Sequence, residues 1–426
     1  RLLLNNNELT TLPRSIVELD ATCELRIWDN PLQTPPYEVA RQGIPAMRRY
    51  FEQLDAGAVV AAQLKIVLCG DGEAGKTSLR NAFAGRPNPR QAPDARTIHL
   101  DRESVRVPVE GDDKVKELTL NIVDMGGQEK YIYAQAPFLT RSALFVLVVQ
   151  ALKAKPKYAD EAVLRFITLI QTRVSDATVQ LVLSKVDKLK DGDVQARPEW
   201  LRRVVNDRLE EWRKAVQRRN MQEGKPNKEI PMIHVEKDVL PVSVAEELSH
   251  SEGVDEIRDT IVRLALSKSF PTVGQKIPSS WFEVWKCLRA IAEHGDESKA
   301  IEAMLEGTAT KPLGVDDRKL SVEGMYRPLD DLRAAWSIYC ERIGKKNDWR
   351  ETFSDVVTPF LCVAPRRKKD DPDTTFYDAL QLLEAQGGLF VDAGLAFLQP
   401  QLIINLMKPL VDHTLTVKSD KFEEDL

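Results

Sequence analysis

Long hydrophobic runs are missing from this chain. The longest, ALFVLVV at 143–149, is far short of the roughly 20 apolar residues that a membrane-spanning helix needs. No signal peptide opens the sequence, so no integral membrane segment is expected. Cysteine is also scarce. The five thiols, Cys23, Cys69, Cys287, Cys340 and Cys362, are scattered and form no C-x-x-C pair. That excludes a disulfide framework and reads as buried thiols in a reducing compartment, so a cytoplasmic location is expected. An excess of one charge is absent as well. A formal charge of −5 with 29% charged residues gives no reason to expect nucleic-acid or membrane-surface binding. What is present is 43% apolar residues over 426 positions, enough for packed cores and a length that suggests about two to four domains. The chain begins at Arg1 rather than Met, and a fragment of a longer protein is expected.

The first segment repeats itself. LLLNNNELTTLP at 2–13 and LRIWDNPLQTPP at 25–36 align as Leu2/Leu25, Leu4/Ile27, Asn7/Asn30 and Leu9/Leu32. This resembles leucine-rich repeats, in which a short strand points alternate leucines inward and an Asn side chain satisfies backbone groups at the turn. Two repeats cannot bury a stable core, so 1–36 is expected to be the end of a longer array. EVARQGIPAMRRYFEQL at 38–54 has helical spacing at Val39, Ile44, Met47, Tyr50, Phe51 and Leu54, and would close the array. AGAVVAA at 56–62 reads as a connector, possible as a helical one, so that 37–62 is a capping helix and linker.

Between 63 and 268, apolar runs alternate with helical patterns. LKIVLC, LTLNIVD, ALFVLVV, VQLVLS and VLPVS predict strands, nearly continuous in apolar residues and so buried on both faces. An α/β fold with a mainly parallel sheet follows. LTLNIVD alternates and fits an edge or antiparallel strand. The stretch 198–216 predicts an amphipathic helix, with Pro198 suited to its first turn.

From 269 to 426 helices dominate: WFEVWKCLRAIAEH, LDDLRAAWSIYCERIG and FYDALQLLEAQGG. LFVDAGLAFLQ then predicts a hairpin turning at Asp392-Ala393-Gly394, followed by a helix in PQLIINLMKPLVDH. Helix, hairpin, helix is the order of a winged-helix unit. Its final helix is apolar rather than basic, which argues against DNA contact.

Chemistry is concentrated in the α/β segment. GDGEAGKT, Gly70 to Thr77, is G-x-x-x-x-G-K-[ST] between a predicted strand and a predicted helix, SLRNAFAG. Gly70, Gly72 and Gly75 let the backbone N–H groups of the loop, Asp71, Glu73 and Ala74 included, turn toward phosphate oxygens. Lys76 is placed to reach the β- and γ-phosphates, Thr77 to ligate Mg²⁺, and Ser78, which opens the predicted helix, completes the nucleotide-binding run. In LNIVDMGGQEK, Asp124 ends a strand where it can hold the Mg²⁺ shell, and Gly127 completes D-x-x-G, its N–H placed to meet a γ-phosphate.

D-x-x-G followed by Gln128 and Glu129 resembles the switch motif of Ras-like GTPases. The resemblance implies that Gln128 orients the attacking water. Ser184-Lys185-Val186-Asp187 after VQLVLS resembles that family's N-K-x-D guanine loop. The Asp187 carboxylate would accept from guanine N1–H and the 2-amino group, a pair that adenine does not offer. Lys185 would lie across the base. Ser184 departs from the family's Asn, whose amide braces this loop to the phosphate loop. A shorter hydroxyl should brace it less well and lower the affinity. Ser243 in LPVSVAE resembles the loop that touches guanine O6. Thr97 in DARTIHLD stands where the family's first switch places a threonine over Mg²⁺, without the glycine that normally follows.

Repeats, a Ras-like domain, then a helical segment with a winged-helix-like end is the order of Roco proteins, which fuse a Roc GTPase to a COR domain. The chain resembles that family along essentially its whole length, most strongly over 64–190. The resemblance implies Roc at 63–268 and the first part of COR at 269–426. It implies GTP/GDP and Mg²⁺ as ligands, slow hydrolysis, homodimerisation of the intact protein through COR, and a protein partner for the repeats. Two other readings share these features: an ATP-binding repeat-containing sensor of the STAND type, and a scaffold whose nucleotide is never turned over. Asp187 speaks against the first and Gln128 against the second.

Overall fold

The structure is a computed structural model describing residues 1–28, 30–88, 101–127, 139, 143–222, 230–270, 272–294, 301–302, 326–350, 376–377, 379–380, 390–392 and 395–397. It divides into two compact units, each described by itself. Over the described residues, one contains 1–62, 110–116 and those within 266–402; the other contains 63–109 and 117–265.

In the first unit, β1 (Leu2–Leu3) pairs in parallel with β2 (Leu25–Arg26), Leu2 opposite Leu25. Asn30 works at the turn. Its Oδ1 accepts from the Leu9 N–H at 3.0 Å, and its Nδ2 donates to Leu4 O at 2.7 Å and Ile27 O at 2.9 Å. The single helix expected over 38–54 is instead two, α1 (Tyr37–Ala40) and α2 (Ile44–Ala56). Gly43, at φ +95°, breaks the run, and Pro45 restarts it in the first turn of α2, where its missing N–H costs nothing. The connector is also not helical. It is β3 (Ala58–Ala61), whose β-branched Val59 and Val60 pair antiparallel with Ile277 and Lys276.

The second unit is a six-stranded sheet. Its strands are β4 (Gln63–Cys69), β5 (Asp101–Pro108), β6 (Glu117–Asp124), β7 (Ala143–Gln150), β8 (Thr178–Ser184) and β9 (His234–Val242), in the order β5-β6-β4-β7-β8-β9. All pairings are parallel except β5 with β6. LTLNIVD is therefore antiparallel to one neighbour but not an edge. The edge on that side is β5, DRESVRVP, whose polar residues hid it from the sequence. The helices of this unit are α3 (Lys76–Phe83), α4 (Arg165–Arg173), α5 (Asp191–Gln222) and α6 (Val254–Ala265). Phe166, Ile167 and Ile170 of α4, with Leu201 and Val205 of α5, pack on Val67, Phe145, Leu147 and Leu181 of the sheet. Leu79 of α3 and Ile257 and Ile261 of α6 are also fully buried. Pro198 does not start α5 as expected but lies within it. The turn before it is held by the Asp193–Arg197 pair and by Arg197 Nη1 donating to Ala154 O at 2.9 Å.

The remaining elements belong to the first unit. They are β10 (Gln275–Pro278), α7 (Ser279–His294), β11 (Tyr326–Pro328), α8 (Leu329–Arg350), β12 (Phe390–Asp392) and β13 (Leu395–Phe397). β12 and β13 pair antiparallel, Phe390 opposite Phe397, where the hairpin was expected, and β11 adds to β13. The helix expected over 400–413 lies outside the described residues, as does most of that expected over 376–388. The core joins the repeat leucines to α2, α7 and α8. In it Tyr50 packs against Trp281 with ring centroids 5.6 Å apart, and Trp281 Nε1 donates to Gln53 Oε1 at 2.7 Å. Cys287 and Cys340 are free thiols here, pushed up to about 12 by burial. Among the described residues, no helix is long and apolar enough to cross a membrane.

Candidate nucleotide site

Parallel strands place their C-terminal ends along one edge of a sheet, and this edge carries the chemistry. β4 ends at Cys69, and the chain must then turn sharply. Gly70 does so at φ +142°, where a Cβ would stand 2.1 Å from Val148 O. Gly75, left-handed at φ +95°, opens α3. The loop between them wraps its own lysine: Lys76 Nζ donates to Gly70 O at 3.0 Å and Asp71 O at 2.8 Å. Burial pushes the Lys76 ammonium below the ordinary lysine range, and Asp124 pulls it back up.

Asp124 ends β6 beside the loop because Leu68 of β4 pairs with it across the sheet. Its fully buried carboxylate accepts from Thr77 Oγ1 at 2.5 Å, and Arg80 Nη1 approaches it at 3.9 Å. Gly127 then presses on the phosphate-loop backbone. A Cβ there would lie 2.4 Å from the Asp71 carbonyl carbon and 2.5 Å from the Gly72 nitrogen, so only glycine fits.

The Ser184–Asp187 loop follows β8, further along the same edge. Ser184, the last residue of β8, is buried and its Oγ donates to Ala74 O at 2.5 Å. The brace expected to be weakened is therefore made by the hydroxyl itself. Lys185 adopts the left-handed conformation, φ +57°, and sends Nζ to Glu73 O at 2.7 Å, a second tie to the phosphate loop. Burial lowers its pKa, as does Lys188 nearby. Asp187 Oδ1 accepts from Ser243 Oγ at 2.6 Å. Ser243 is fixed in turn by paired backbone bonds with Glu252, at 3.0 and 2.8 Å.

Gly70 to Ser78, Asp124, Gly127, Ser184, Lys185, Asp187 and Ser243 thus all lie in one unit, at the ends of its strands, in the loops that follow them and at the start of α3. Gln128 and Thr97 lie outside the described residues. Sequence reasoning missed two cations. Lys153 and Arg165 both pair with the Asp71 carboxylate, Arg165 Nη2 at 2.7 Å, and no spacing or motif marks either.

Among the described residues, no group of three or more His, Cys, Asp and Glu side chains could hold a metal ion alone. The Thr77 hydroxyl touching the Asp124 carboxylate is nevertheless a donor set that fits Mg²⁺. That ion takes one or two protein oxygens and completes its shell with phosphate and water.

Comparison with known proteins agrees with this geometry. The family model described as Ras of Complex, Roc, domain of DAPkinase matches residues 65–187. Malignant fibrous histiocytoma-amplified sequence 1 of Homo sapiens is 29% identical over 187 residues, covering 40% of this chain and 17% of that protein. A Roc-COR-CHAT protease of Runella zeae is 29% identical over 155 residues, covering 34% of this chain and 15% of that one. The chain therefore spans under a fifth of the length of these relatives. Among solved structures, Methanosarcina barkeri Roco2 RocCORdC bound to GDP is similar at 17% identity and a TM-score of 0.46, covering 85% of this chain and 80% of that one. The chain thus carries a Roc domain from β4 through the Ser184–Asp187 loop, and it is similar to Roco-type proteins over that stretch.

Proposed function

We propose that this chain is a Mg²⁺-dependent guanine-nucleotide switch that binds GTP and hydrolyses it slowly. The observation that carries the reading is Asp187. Its carboxylate is held by Ser243, and its loop is tied to the phosphate loop through Ser184 and Lys185. A carboxylate fixed in that loop suits guanine N1–H and the 2-amino group, and would be left unpaired by adenine.

In this reading the backbone N–H groups from Gly70 to Gly75 cradle the phosphates, and Lys76 bonds the β- and γ-oxygens. Thr77 and Asp124 hold Mg²⁺, with Thr97 added in the GTP state. When bound, the ion neutralises charge on the β- and γ-phosphates. Gly127 offers its N–H to the γ-phosphate, and Gln128 orients the attacking water. Arg80 and Arg165 are the arginines described near the loop. Arg80 faces Asp124, and Arg165 bonds Asp71 and Gly127. Neither is free to stabilise a transferring phosphoryl group, which supports a slow intrinsic rate and a charge supplied by a partner or second protomer.

The remaining assignments are those of a Roco protein. Residues 1–36 are the end of a leucine-rich repeat array that binds a protein partner, 37–62 its cap and linker, 63–268 Roc, and 269–426 the first part of COR with a winged-helix-like end. COR relays the nucleotide state and dimerises in the intact cytoplasmic protein. The Leu2–Leu25 register and the Asn30 turn bonds support the repeat reading.

The test is nucleotide binding by the purified chain and by Asp187→Asn. Asn offers an amide donor to the 2-oxo group of xanthine and loses the guanine pair. GTP binding should fall by about a hundredfold or more and xanthosine-triphosphate binding should appear. Tight ATP binding, or a variant that still prefers GTP, refutes the reading.

A further inference from the structure

The contact around Asp71 has no part in holding the nucleotide as described so far. Asp71 stands in the phosphate loop, where an acid is electrostatically unwelcome: a carboxylate there faces a ligand that is itself a polyanion. Two cations cover it. Lys153, from the turn after β7, pairs with Oδ2, and Arg165, the first residue of α4, bonds Oδ1 at 2.7 Å. Arg165 does more than neutralise. The same Nη2 also donates to Gly127 O at 3.2 Å, and its guanidinium lies over the Phe166 ring at 4.9 Å, which fixes its plane. Gly127 is also the residue whose missing Cβ lets the two loops touch, at 2.4 Å from a would-be Cβ to the Asp71 carbonyl carbon. One nitrogen therefore bridges the phosphate loop to the glycine that would sense the γ-phosphate, at the point where their backbones meet.

We propose that Arg165 is a positioning residue that sets Gly127 against the phosphate loop, with Asp71 as its anchor, and so couples GTP binding to the second switch. The proposal rests on the guanine-nucleotide reading of the site. The carbonyl that Arg165 holds is one residue's φ and ψ away from the Gly127 N–H that would meet the γ-phosphate, so holding the one narrows the settings of the other. GDP makes no demand on Gly127. GTP does, because its γ-phosphate takes the Gly127 N–H. Losing Arg165 therefore penalises GTP more than GDP. Losing Lys153, which pairs with Asp71 Oδ2, removes charge from the anchor alone and weakens both nucleotides alike.

The experiment measures, on the whole chain, the affinities for GDP and for a non-hydrolysable GTP analogue, together with single-turnover hydrolysis. Wild type is compared with Arg165→Ala, Arg165→Lys and Lys153→Ala. In Arg165→Ala the preference for the GTP analogue over GDP should fall about five- to tenfold, the range of a modest coupling between sites, and single-turnover hydrolysis should slow. Arg165→Lys keeps the charge, but its ammonium ends about where the guanidinium carbon lies, too short to bridge both oxygens. It should recover GDP affinity without recovering the preference, and it serves also if the alanine variant does not fold. Lys153→Ala should leave the preference within about twofold of wild type. An unchanged preference in both Arg165 variants, or full recovery by lysine, overturns the proposal and leaves Arg165 as charge balance only. A wild-type chain that binds no GTP overturns the guanine reading instead, and the coupling with it.

Discussion

The two units are held together by different physics. In the unit of 63–109 and 117–265, buried parallel strands form a rigid platform, and the polar residues cluster where those strands end: Lys76, Asp124, Ser184 and Asp187. Their bonds run from loop to loop, so each fixes a neighbour rather than a core. In the other unit the polar side chains that matter are spread through the interior, and they serve packing. Asn30 closes a repeat turn, Gln53 meets Trp281, and the Tyr339 hydroxyl donates to Glu283 Oε2 at 3.2 Å. A polar residue among strand ends answers to a ligand; the same residue within a helical core answers to its own hydrogen-bonding needs.

That contrast predicts that damage to one unit reads out differently from damage to the other. The largest effect should come from Trp281→Ala. It removes a ring that is 2% exposed, deletes the hydrogen bond to Gln53 Oε1 and empties the space against Tyr50. The expected loss is about 4 kcal/mol. Hydrogen exchange should locate it in α2 and α7, with GTP affinity near wild type. Loss of nucleotide binding alongside would break the comparison, since the two units would then stand or fall together.

Lys76→Ala should do the reverse. It removes the ammonium that the loop encloses, and nucleotide affinity should drop about a hundredfold, the value of a lost charge-assisted bond or two. The urea midpoint without nucleotide should change little, because the cost of keeping a buried ammonium offsets the two carbonyl bonds it makes. A large fall in that midpoint would mean that Lys76 is structural, and would erase the distinction between ligand-facing and core-facing polar groups.

How much of this was legible follows the same line. Apolar runs located β4, β7 and β8 almost to the residue, since strands buried on both faces leave no alternative pattern. The phosphate loop and the S-K-x-D loop were legible because their chemistry needs contiguous residues. Leu2 opposite Leu25 follows from a repeat that the sequence prints twice. The misses have physical causes too. β5 is a polar edge whose partner supplies most of its pattern, so it shows little periodicity of its own. The break at Gly43 was masked by apolar residues that stay in helical phase across it. β3 depends on β10, more than two hundred residues away, and nothing local announces that. Lys153 and Arg165 meet Asp71 only because the sheet brings three loops together, and a contact of that kind leaves no spacing to read.

The smallest predicted effect concerns Ser184, where sequence and structure pull apart. Read against the usual Asn, a serine should brace the base loop poorly. In the structure its Oγ reaches Ala74 O, and Lys185 adds a tie to Glu73 O. If those two bonds already carry the brace, restoring the amide gains little. Ser184→Asn should change GTP affinity by no more than about threefold, under 1 kcal/mol. Ser184→Ala, which deletes the hydroxyl bond, should weaken it about fivefold, the net value of one hydrogen bond. Isothermal titration on both variants decides between the two accounts. A tenfold gain with Asn would show that the hydroxyl leaves the loop loose. An alanine variant equal to wild type would move the brace to Lys185 alone.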